Sequence, residues 1–362
     1  MDVAVIGVGL IGGSIGLAAR ERLGARVAGY DPDPGVLAAA LRRGAIDRAC
    51  ADPTEAVAAA DLVFVAAPVG VLPAAIEAVL EAAPAECAVT DVGSTKRRVV
   101  AGCRDPRFVG GHPLAGAETA GVEHARVDLF DGATWYLTPH AGTSGSLYER
   151  LHRALAGFGA QPAAIEAEVH DRVMASVSHL PHVLANVLVA QAARVLAHPG
   201  SAGGESELMP ATGPSFRDAT RVAGANNAVW TDIYLSNRDA LIGALDTTIA
   251  RLEEVRTALA GADRQAIEAW NDAARTDRDA LLGAGLAGGA VHELRVAAPN
   301  RPGMIAEIAL ALGRGGVNIV DMALSPSHDD GPGLVALWVR GEEQAGRAVG
   351  LIAELHIPVA RA

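Results

Sequence analysis

Cysteine is scarce in this sequence, and no compact group of metal ligands is present. The 362 residues include three cysteines, Cys50, Cys87 and Cys103, and no two of them form a CxxC pair. An odd and scattered set of cysteines is typical of a reducing compartment, and it indicates neither a disulfide framework nor a structural metal site. We therefore expect a cytoplasmic protein without a bound metal.

Positive charge is also in short supply. The chain has 30 lysines and arginines against 42 aspartates and glutamates, which gives a formal net charge of -12. Nucleic acids and anionic membrane surfaces attract basic proteins, so neither is expected as a partner. A small anionic substrate remains compatible with this charge, because the field inside a pocket depends mainly on nearby groups.

The sequence shows no leader-like segment and no long uninterrupted apolar run. The first apolar run, Val3–Ile6, follows no basic segment of the kind that opens a signal peptide, and we expect none. The most apolar later stretch, residues 180–196, contains polar side chains such as His182, Asn186 and Arg194. We interpret it as a buried helix and expect no membrane span.

What the sequence does contain is ample apolar material for two or three domains. Hydrophobic residues make up 50% of the chain and charged residues 20%, which is typical of globular proteins. Over residues 1–165, short β-branched runs alternate with alanine-rich stretches, and this alternation predicts an α/β domain with a doubly wound parallel sheet. The predicted strands are Val3–Ile6, Val27–Tyr30, Leu62–Val65, Ala88–Val92, Phe108–Gly110 and Thr134–Leu137.

Helical periodicity dominates the next part of the chain. Between residues 166 and 285 strand signals nearly vanish, which predicts an all-helical second domain. Its predicted long helices are Arg172–Leu196, Trp230–Leu259 and Arg264–Leu282. The glycine-rich stretch Gly283–Gly289 that follows is typical of a flexible linker.

Residues 290–362 combine strands and helices again. The predicted elements are strand Glu293–Ala297, helix Met304–Leu312, strand Asn318–Leu324, strand Leu334–Val339, helix Glu342–Glu354 and strand His356–Val359. The order βαββαβ predicts a ferredoxin-like sandwich as a third, C-terminal domain.

A glycine-rich turn follows the first strand directly and opens the first predicted helix. From Gly7 to Gly12 it reads Gly-Val-Gly-Leu-Ile-Gly, which matches the GxGxxG pattern of dinucleotide-binding sites. Glycines there permit a tight turn and a close approach to a pyrophosphate at the positive N-terminus of the helix. The turn therefore predicts a Rossmann domain. The predicted cofactor-binding residues of this turn are Gly7, Gly9, Leu10, Ile11 and Gly12.

An acidic residue ends the second predicted strand about twenty residues later. Asp31 is placed to hydrogen-bond the ribose 2′-hydroxyl of NAD, whereas a 2′-phosphate would meet its negative charge and that of Asp33. A turn-forming role in Asp-Pro-Asp-Pro explains Asp33 better than Asp31. We therefore predict NAD as the cofactor.

Two polar clusters follow later strands, where the ligands of open α/β sheets bind. One is Asp-Val-Gly-Ser-Thr-Lys at residues 91–96, and the other is Gly-Gly-His-Pro-Leu-Ala-Gly at residues 110–116. Ser94 and Thr95 have helix capping as an alternative role. His112 has a structural role in a loop as its alternative, but flanking glycines and a proline expose and fix its ring, which favours function.

Histidines and an acidic residue also mark the first long helix of the helical domain. At about 100° per residue, Asp171, Ser178 and His182 share one helix face. His170 and His179 point elsewhere. A zinc site is not expected, because the spacing supplies no compact third ligand. A proline within this segment predicts a kink or a break.

Arg217 and Arg221 stand four residues apart, a spacing that would put them on one face of a helix. Like charges at this spacing on one face repel each other, so the pair requires an explanation. Two guanidinium groups can clamp a carboxylate through bidentate hydrogen bonds. The alternative is a solvated pair relieved by Asp218.

Four of these motifs together resemble one family, the prephenate and arogenate dehydrogenases of tyrosine biosynthesis. The motifs are Asp-Val-Gly-Ser-Thr-Lys at residues 91–96, Gly-Gly-His-Pro-Leu-Ala-Gly-Ala-Glu at 110–118, Ser-His-Leu-Pro-His at 178–182 and Phe-Arg-Asp-Ala-Thr-Arg at 216–221. The resemblance covers nearly all of the first two predicted domains. It implies NAD-dependent oxidative decarboxylation of prephenate by a homodimer, with arogenate as the alternative substrate.

The resemblance also implies roles for individual residues. His112 accepts the proton of the substrate hydroxyl as a hydride leaves for the nicotinamide, Ser94 positions that hydroxyl, and Arg221 holds the ring carboxylate. His182 and Trp230 shape the pocket wall. The residues of an implied polar gate are Glu118, Asp171 and Arg217. Direct substrate binding is an alternative role for the last of these.

Residues 290–362 resemble an ACT domain. The resemblance depends on Pro-Asn-Arg-Pro-Gly at residues 299–303 and Gly-Val-Asn-Ile at residues 316–319. It implies regulation by an aromatic amino acid, with dimerisation or packing without a ligand as the alternative. The implied effector-binding residues are Asn300, Arg301, Pro302, Gly303 and Asn318. For the whole chain, a non-catalytic sensor of NAD and an amino acid is a further alternative.

Overall fold

The structure, a computed structural model, describes residues 1–116, 119–196, 212–283, 291–325 and 332–362. The chain divides into two compact units. One unit comprises Met1–His170 together with Gln265–Ala362, and the other comprises Asp171–Arg264. The predicted linker beyond Gly283 and the implied gate residue Glu118 lie outside the described residues.

An eight-stranded sheet forms the centre of the first unit. Its strands are β1 (Asp2–Ile6), β2 (Arg26–Tyr30), β3 (Arg48–Ala49), β4 (Leu62–Val65), β5 (Ala88–Asp91), β6 (Phe108–Pro113), β7 (Thr134–Thr138) and β8 (Gln161–Ala164). In the sheet they follow the order β3-β2-β1-β4-β5-β6-β7-β8. The order reverses between β1 and β4, and ligands of such sheets bind beyond the carboxyl ends of the strands at this reversal.

Helices cover both faces of this sheet. They are α1 (Leu10–Leu23), α2 (Pro34–Arg43), α3 (Pro53–Val57), α4 (Leu72–Ala82), α5 (Arg97–Ala101) and α6 (Gly145–Gly157), with 3-10 turns at Val69–Val71 and Val122–His124. On one face α1 and α6 pack on strand residues such as Phe64 and Trp135. On the other face α3 and α4 pack on residues such as Val63 and Val89. The central strands are apolar on both faces, as expected for a parallel sheet between two helical layers.

The predicted Rossmann-type parallel sheet is confirmed over β1 to β6, and β7 is the exception. Strand β7 runs antiparallel to β6, with His112 opposite Tyr136, and β8 is parallel to β7. Parallel neighbours need a crossover connection that is usually helical, whereas antiparallel neighbours do not. The described residues between β6 and β7 contain a single 3-10 turn and no α-helix, so this connection suits an antiparallel pair.

One long helix contains a π-helical segment that changes which side chains share a face. Its parts are α7 (Ala167–Met174), the π segment (Ala175–His179) and α8 (Leu180–Leu196). The N–H of Leu180 donates to the carbonyl of Ala175, one residue further back than in an α-helix. His179 is thereby buried together with Asp171 and His182. The prediction that His179 points away from these two residues is wrong, because it assumed α-helical spacing throughout.

The remaining helices of this region are α9 (Pro214–Thr220), α10 (Asn227–Ser236), α11 (Arg238–Ala260) and α12 (Arg264–Gly283). The single helix predicted over residues 230–259 is divided at Asn237, which is fully buried and has non-helical φ and ψ angles. In contrast, the segment from α7 to α8 continues through Pro181, where the sequence predicts a kink or a break. The π segment ends two residues before this proline, which has no N–H to contribute.

Helix α8 is not buried as the sequence predicts. Val187, Leu188 and Val189 are exposed on its surface. The segment Ala167–Arg194 is long and apolar enough to cross a membrane by length and composition, and 28% of its apolar window is buried. Contiguous exposed apolar surface is typical of an interaction site. The expectation of a buried helix is therefore wrong for a single copy of the chain.

The C-terminal part of the first unit is a four-stranded antiparallel sheet with two helices. Its elements are β9 (Val291–Ala298), α13 (Met304–Arg314), β10 (Ile319–Ser325), β11 (Gly333–Arg340), α14 (Glu342–Glu354) and β12 (Val359–Arg361). In the sheet the strands follow the order β10-β11-β9-β12. The elements occur along the chain in the predicted order, strand, helix, two strands, helix and strand.

This C-terminal part packs directly on the large sheet and shares an apolar core with it. Helix α13 contacts β8 and α6. A Cβ on Gly313 would lie 1.9 Å from the carbonyl oxygen of Ala164, so the two backbones touch. Arg314 extends the contact by an ion pair of 2.6 Å with Glu166. The two sheets of this unit are therefore held together by close packing.

Candidate active site

The glycine turn after β1 is tightly packed on one side and open on the other. Gly7 has a φ of +92°, and a Cβ there would lie 2.4 Å from the carbonyl oxygen of Ala66. A Cβ on Gly12 would lie 1.9 Å from the carbonyl oxygen of Gly7. A Cβ on Gly9, the N-cap of α1 just before Leu10–Ile11, would meet none of the described residues within 4 Å. The open side at a helix N-terminus fits the pyrophosphate of a dinucleotide.

Asp31 stands against this turn just beyond β2. One carboxylate oxygen accepts the N–H of Val8 at 2.9 Å, and the other accepts the N–H of Asp33 at 3.0 Å. Each oxygen has a further lone pair, so the half-buried carboxylate can also accept a ribose hydroxyl. Asp33 instead caps α2 by accepting the N–H of Gly35 at 2.8 Å. The residues present therefore fit NAD.

A buried ion pair organises the polar cluster beyond β5. Lys96 donates to Asp91, and both side chains are fully buried. The Asp91 carboxylate also accepts the N–H of Gly93 at 2.8 Å and the N–H of Gly111 at 3.1 Å. One carboxylate thereby ties the loop after β5 to β6. This pair is not predicted from the sequence, although a signal exists there, because Lys96 is the only lysine of the chain.

Ser94 is half-buried in this loop. Helix α5 begins at Arg97, and Lys96 occupies its N-cap position. Neither Ser94 nor Thr95 therefore stands at the position that the capping alternative requires. The hydroxyl of Ser94 remains a candidate for positioning a substrate, since it can both donate and accept a hydrogen bond.

His112 belongs to β6 and lies close to two aromatic rings. Its Nδ1 lies 2.9 Å from Nε2 of His170, and the two rings are nearly perpendicular. The ring of Tyr136 meets His170 edge-on, with centroids 5.6 Å apart. Only 9% of His112 is exposed, so the expectation of an exposed ring is wrong. The strand pairing and the neighbouring rings, which the local sequence does not reveal, bury it.

In the second unit, two aromatic rings surround His182. The imidazole stacks on Trp230 with centroids 3.5 Å apart, and its Nδ1 lies 3.1 Å from the hydroxyl of Tyr234. Burial lowers the pKa of His182 and raises the pKa of Tyr234, so both groups are neutral near pH 7. The structure thus brings together His182 and Trp230, which the family resemblance assigns to one pocket wall. Tyr234 joins them and is not predicted from the sequence.

Asn237, at the break between α10 and α11, supports the wall that His182, Trp230 and Tyr234 form. Its Nδ2 donates to the carbonyl of Asp171 at 2.7 Å and to Nδ1 of His179 at 3.2 Å. Because Nδ1 accepts, neutral His179 carries its proton on Nε2. His179 in turn meets Trp230 edge-on at 6.2 Å. The backbone of Asp171, an implied gate residue, therefore supports the wall through the asparagine.

Arg217 and Arg221 are exposed at α9. Arg217 lies within the helix, and Arg221 follows at its C-cap with helical angles, φ -53° and ψ -36°. Residues four apart in helical backbone lie on the same side, so the pair has the spacing of a carboxylate clamp. Asp218 stands three residues before Arg221, a helical spacing at which opposite charges attract, so local charge relief is compatible with this geometry as well.

The turn implied in effector binding connects β9 to α13. Gly303 has a φ of +81°, and a Cβ there would lie 2.0 Å from the carbonyl oxygen of Ala141. The preceding turn residues, Asn300, Arg301 and Pro302, are exposed. Near the start of β10, Oδ1 of Asn318 is buried and has no hydrogen-bond partner among the described residues. A buried acceptor of this kind requires an explanation, and a ligand that donates to it would provide one.

Comparisons with known proteins agree with a nucleotide-binding sheet followed by a helical region. Family models described as the nucleotide-binding domain and the dimerization domain of prephenate dehydrogenase match residues 15–163 and 166–271. A prephenate dehydrogenase from Bacillus subtilis is 32% identical over 359 residues, which cover 96% of this chain and 94% of the relative.

Solved structures of similar proteins are also known. A prephenate dehydrogenase from Aquifex aeolicus, in complex with hydroxyphenyl propionate and NAD+, is 26% identical with a TM-score of 0.67, covering 77% of this chain and 98% of that one. A Synechocystis arogenate dehydrogenase is 25% identical with a TM-score of 0.65, covering 78% and 100%.

The relatives and the glycine turn lead to the same conclusion. The nucleotide-binding domain is shared, and the turn with Asp31 is built to receive NAD, so the chain is an NAD-dependent oxidoreductase. With a relative 32% identical along nearly its whole length, the chain belongs to the prephenate dehydrogenase family.

Proposed function

We propose that this enzyme oxidises and decarboxylates prephenate with NAD as the acceptor. The observation that carries the proposal is the position of His112, on β6 beside the loop of Ser94. The Asp91 carboxylate joins this loop and strand β6, because it accepts the N–H groups of Gly93 and Gly111. A histidine and a hydroxyl on two backbone segments that one carboxylate joins suit a reaction in which a substrate hydroxyl must be oriented and deprotonated.

When bound, NAD supplies the acceptor for a hydride from the hydroxyl-bearing carbon of the ring. Neutral His112 takes the hydroxyl proton as a general base. The bond between the ring and its carboxylate then breaks, carbon dioxide leaves, and the bonding electrons complete the aromatic ring. His112 returns its proton to the ring oxygen, so no proton is gained or lost overall.

Other residues of the chain bind and orient the substrate in this proposal. Ser94 positions the hydroxyl beside His112, and Arg221 holds the ring carboxylate with bidentate hydrogen bonds. His182 and Trp230 supply a flat, neutral wall for the ring, which their stacking at 3.5 Å supports. The residues of the proposed polar gate are Arg217, Asp171 and Glu118.

Arogenate is the second candidate substrate, because the similar Synechocystis structure is an arogenate dehydrogenase. The purified protein is mixed with NAD and either prephenate or arogenate, and NADH is followed by its absorbance. A higher kcat/KM for prephenate is expected. Reduction of NAD with arogenate alone would transfer the proposal to the second candidate, and no reduction with either would contradict both.

Replacement of NAD by NADP should lower kcat/KM, because Asp31 opposes a 2′-phosphate.

We also propose that two copies of the chain form a homodimer through the helical region. The matched family model is a dimerization domain. On α11 an exposed apolar stripe runs along one side, with Ile242, Ile249, Leu252 and Leu259. Sedimentation analysis is expected to give twice the chain mass of 36.9 kDa. A monomer at micromolar concentration would contradict the proposal, and Leu252→Asp should shift a dimer toward monomer.

We propose further that the C-terminal sheet is an ACT domain through which an aromatic amino acid inhibits the enzyme. Oδ1 of Asn318 has no hydrogen-bond partner in the part of the chain that the structure describes, which supports a ligand that donates a hydrogen bond there, as an amino group does. Because this part shares a core with the large sheet, a point variant is a better test than deletion of residues 290–362. Tyrosine should inhibit the unaltered enzyme, and Asn318→Ala should weaken this inhibition with basal turnover unchanged. Equal inhibition of both proteins would place the inhibitor in the active site.

A cytoplasmic location completes the proposal. The three cysteines are free, and burial raises the pKa of the Cys87 thiol to about 12. Buried thiols of this kind are compatible with a reducing compartment. Fractionation of cells that make the protein should recover it with cytoplasmic enzymes, and recovery with membranes would contradict this.

A further inference from the structure

The mechanism above leaves one buried titratable neighbour of His112 without a role. His170 is fully buried, and its Nε2 lies 2.9 Å from Nδ1 of His112. The rings are inclined by 73°, so the lone pair of one nitrogen faces the N–H of the other. The two nitrogens therefore share a proton position between two imidazoles.

The direction of this hydrogen bond determines the chemistry of His112. A neutral imidazole carries one proton, and the nitrogen without it is the one that accepts. If His112 donates from Nδ1, its Nε2 has a free electron pair and can act as a base. If His170 donates instead, Nε2 of His112 carries the proton and cannot accept another. A base at position 112 thus requires that His170 accept.

The fold fixes both the backbone and the ring of His170. Its backbone N–H donates to the carbonyl of Glu166 at 2.8 Å in the first turn of α7. Its ring meets Tyr136 edge-on, and Tyr136 lies opposite His112 across β6 and β7. A ring fixed in this way keeps its acceptor nitrogen directed at His112 without loss of side-chain entropy during catalysis.

We propose that His170 is a positioning residue that holds the proton of His112 on Nδ1 and so leaves Nε2 as the catalytic base. The proposal rests on the proposed function, because it assigns the tautomer that this reaction needs. Two substitutions separate hydrogen bonding from packing. His170→Phe keeps a ring of similar size and removes the acceptor, whereas His170→Gln retains an amide oxygen near the place of Nε2.

The direct test is the tautomer itself, measured by ¹⁵N NMR on protein labelled in its histidine rings. The resonances of His112 are identified by their loss in His112→Asn. The proton is expected on Nδ1 in the unaltered protein and in His170→Gln, and on both nitrogens in exchange in His170→Phe. The exposed His356→Asn serves as the control. A proton on Nε2 in the unaltered protein, or an unchanged tautomer in His170→Phe, would overturn the proposal.

The second test is kinetic. His170→Phe should lower kcat by about tenfold to a hundredfold with little change in KM, because the base is present but mostly in the wrong tautomer. His170→Gln should recover most of this loss. Equal losses in both variants would indicate a packing role and contradict the proposal. The NMR measurement needs no substrate, so its result stands even if neither prephenate nor arogenate is oxidised.

Discussion

Lys96 and Asp91 form an ion pair in which neither side chain is exposed to solvent. Of the 30 lysines and arginines in the chain, Lys96 is the only lysine, so the other 29 are arginine. A Cβ on Gly110 would lie 3.3 Å from Cδ of Lys96, and one on Gly93 would lie 3.5 Å from its Nζ. The glycine backbones thus enclose a slim ammonium chain, and a planar guanidinium would not fit as well.

We expect Lys96→Met to lower the free energy of unfolding by about 3–5 kcal/mol, because the Asp91 carboxylate would remain buried without its partner charge. Urea unfolding at pH 7 measures this loss. Asp91→Asn together with Lys96→Met should cost less than the sum of the two single changes. Strictly additive losses would show that the two groups do not stabilise each other.

His112→Asn should lower kcat by about two orders of magnitude or more, since the amide cannot take a proton from the substrate. The measurement is NADH formation with saturating substrate. The His356→Asn control replaces an exposed histidine and should keep normal turnover. Near-normal turnover of His112→Asn would remove this residue from the mechanism.

Arg221→Ala should act mainly on substrate binding, because a guanidinium that holds a carboxylate does so before and during the reaction. We expect KM for prephenate to rise about tenfold or more, as loss of a charge-assisted hydrogen bond implies. Steady-state kinetics check this, with Arg238→Ala on α11 as an exposed arginine control. An unchanged KM would count against the clamp.

Two helical glycines of the C-terminal part should respond oppositely to alanine. Gly313→Ala should lower the free energy of unfolding by about 1–3 kcal/mol, because its Cβ would overlap the Ala164 carbonyl at 1.9 Å. A Cβ on Gly350 of α14 would meet nothing within 4 Å in the described ranges, so Gly350→Ala should raise stability by about 0.5–1 kcal/mol through helix propensity. Thermal unfolding of both variants distinguishes them, and equal effects would show that α13 does not pack on β8.

His152 should make stability depend on pH. Burial lowers its pKa to about 4, against smaller opposing effects of the Asp321 charge and the Ile319 backbone. The unfolded chain binds a proton below about pH 6.5 while the folded chain does not, so stability falls as the pH drops from 6.5 toward 4. The loss attributable to this histidine is about 3 kcal/mol. His152→Phe should flatten this part of the unfolding curve, and an unchanged pH dependence would contradict the assignment.

The elements that the sequence predicts well are those set by local pattern. Strand Leu62–Val65 and helix Glu342–Glu354 have the predicted bounds, since the strand is a continuous apolar run after Asp61 and the helix has a clear period after Gly341. Strand β8 is missed because Gln161–Ala164 contains a proline and no β-branched residue. Such a strand owes its conformation to its neighbour β7.

The candidate site shows the same division between features that a short segment encodes and contacts that only the fold creates. The glycine turn and Asp31 are predictable, because a strand, a turn and a helix place them within one short segment. The partner of His112 is not, since His170 lies 58 residues away and only the fold brings the rings together. Asn237 escapes prediction for a related reason, as its two hydrogen bonds reach residues of a different helix.

The π segment gives the aromatic wall a dependence on helix winding. If the same five residues, Ala175–His179, took regular α-helical spacing, α8 would turn by about 100° relative to Asp171. His182 would then leave its place on Trp230, although no side chain of the wall had been altered. The aromatic wall of this enzyme is therefore specified by the local winding of a helix as much as by its amino acids.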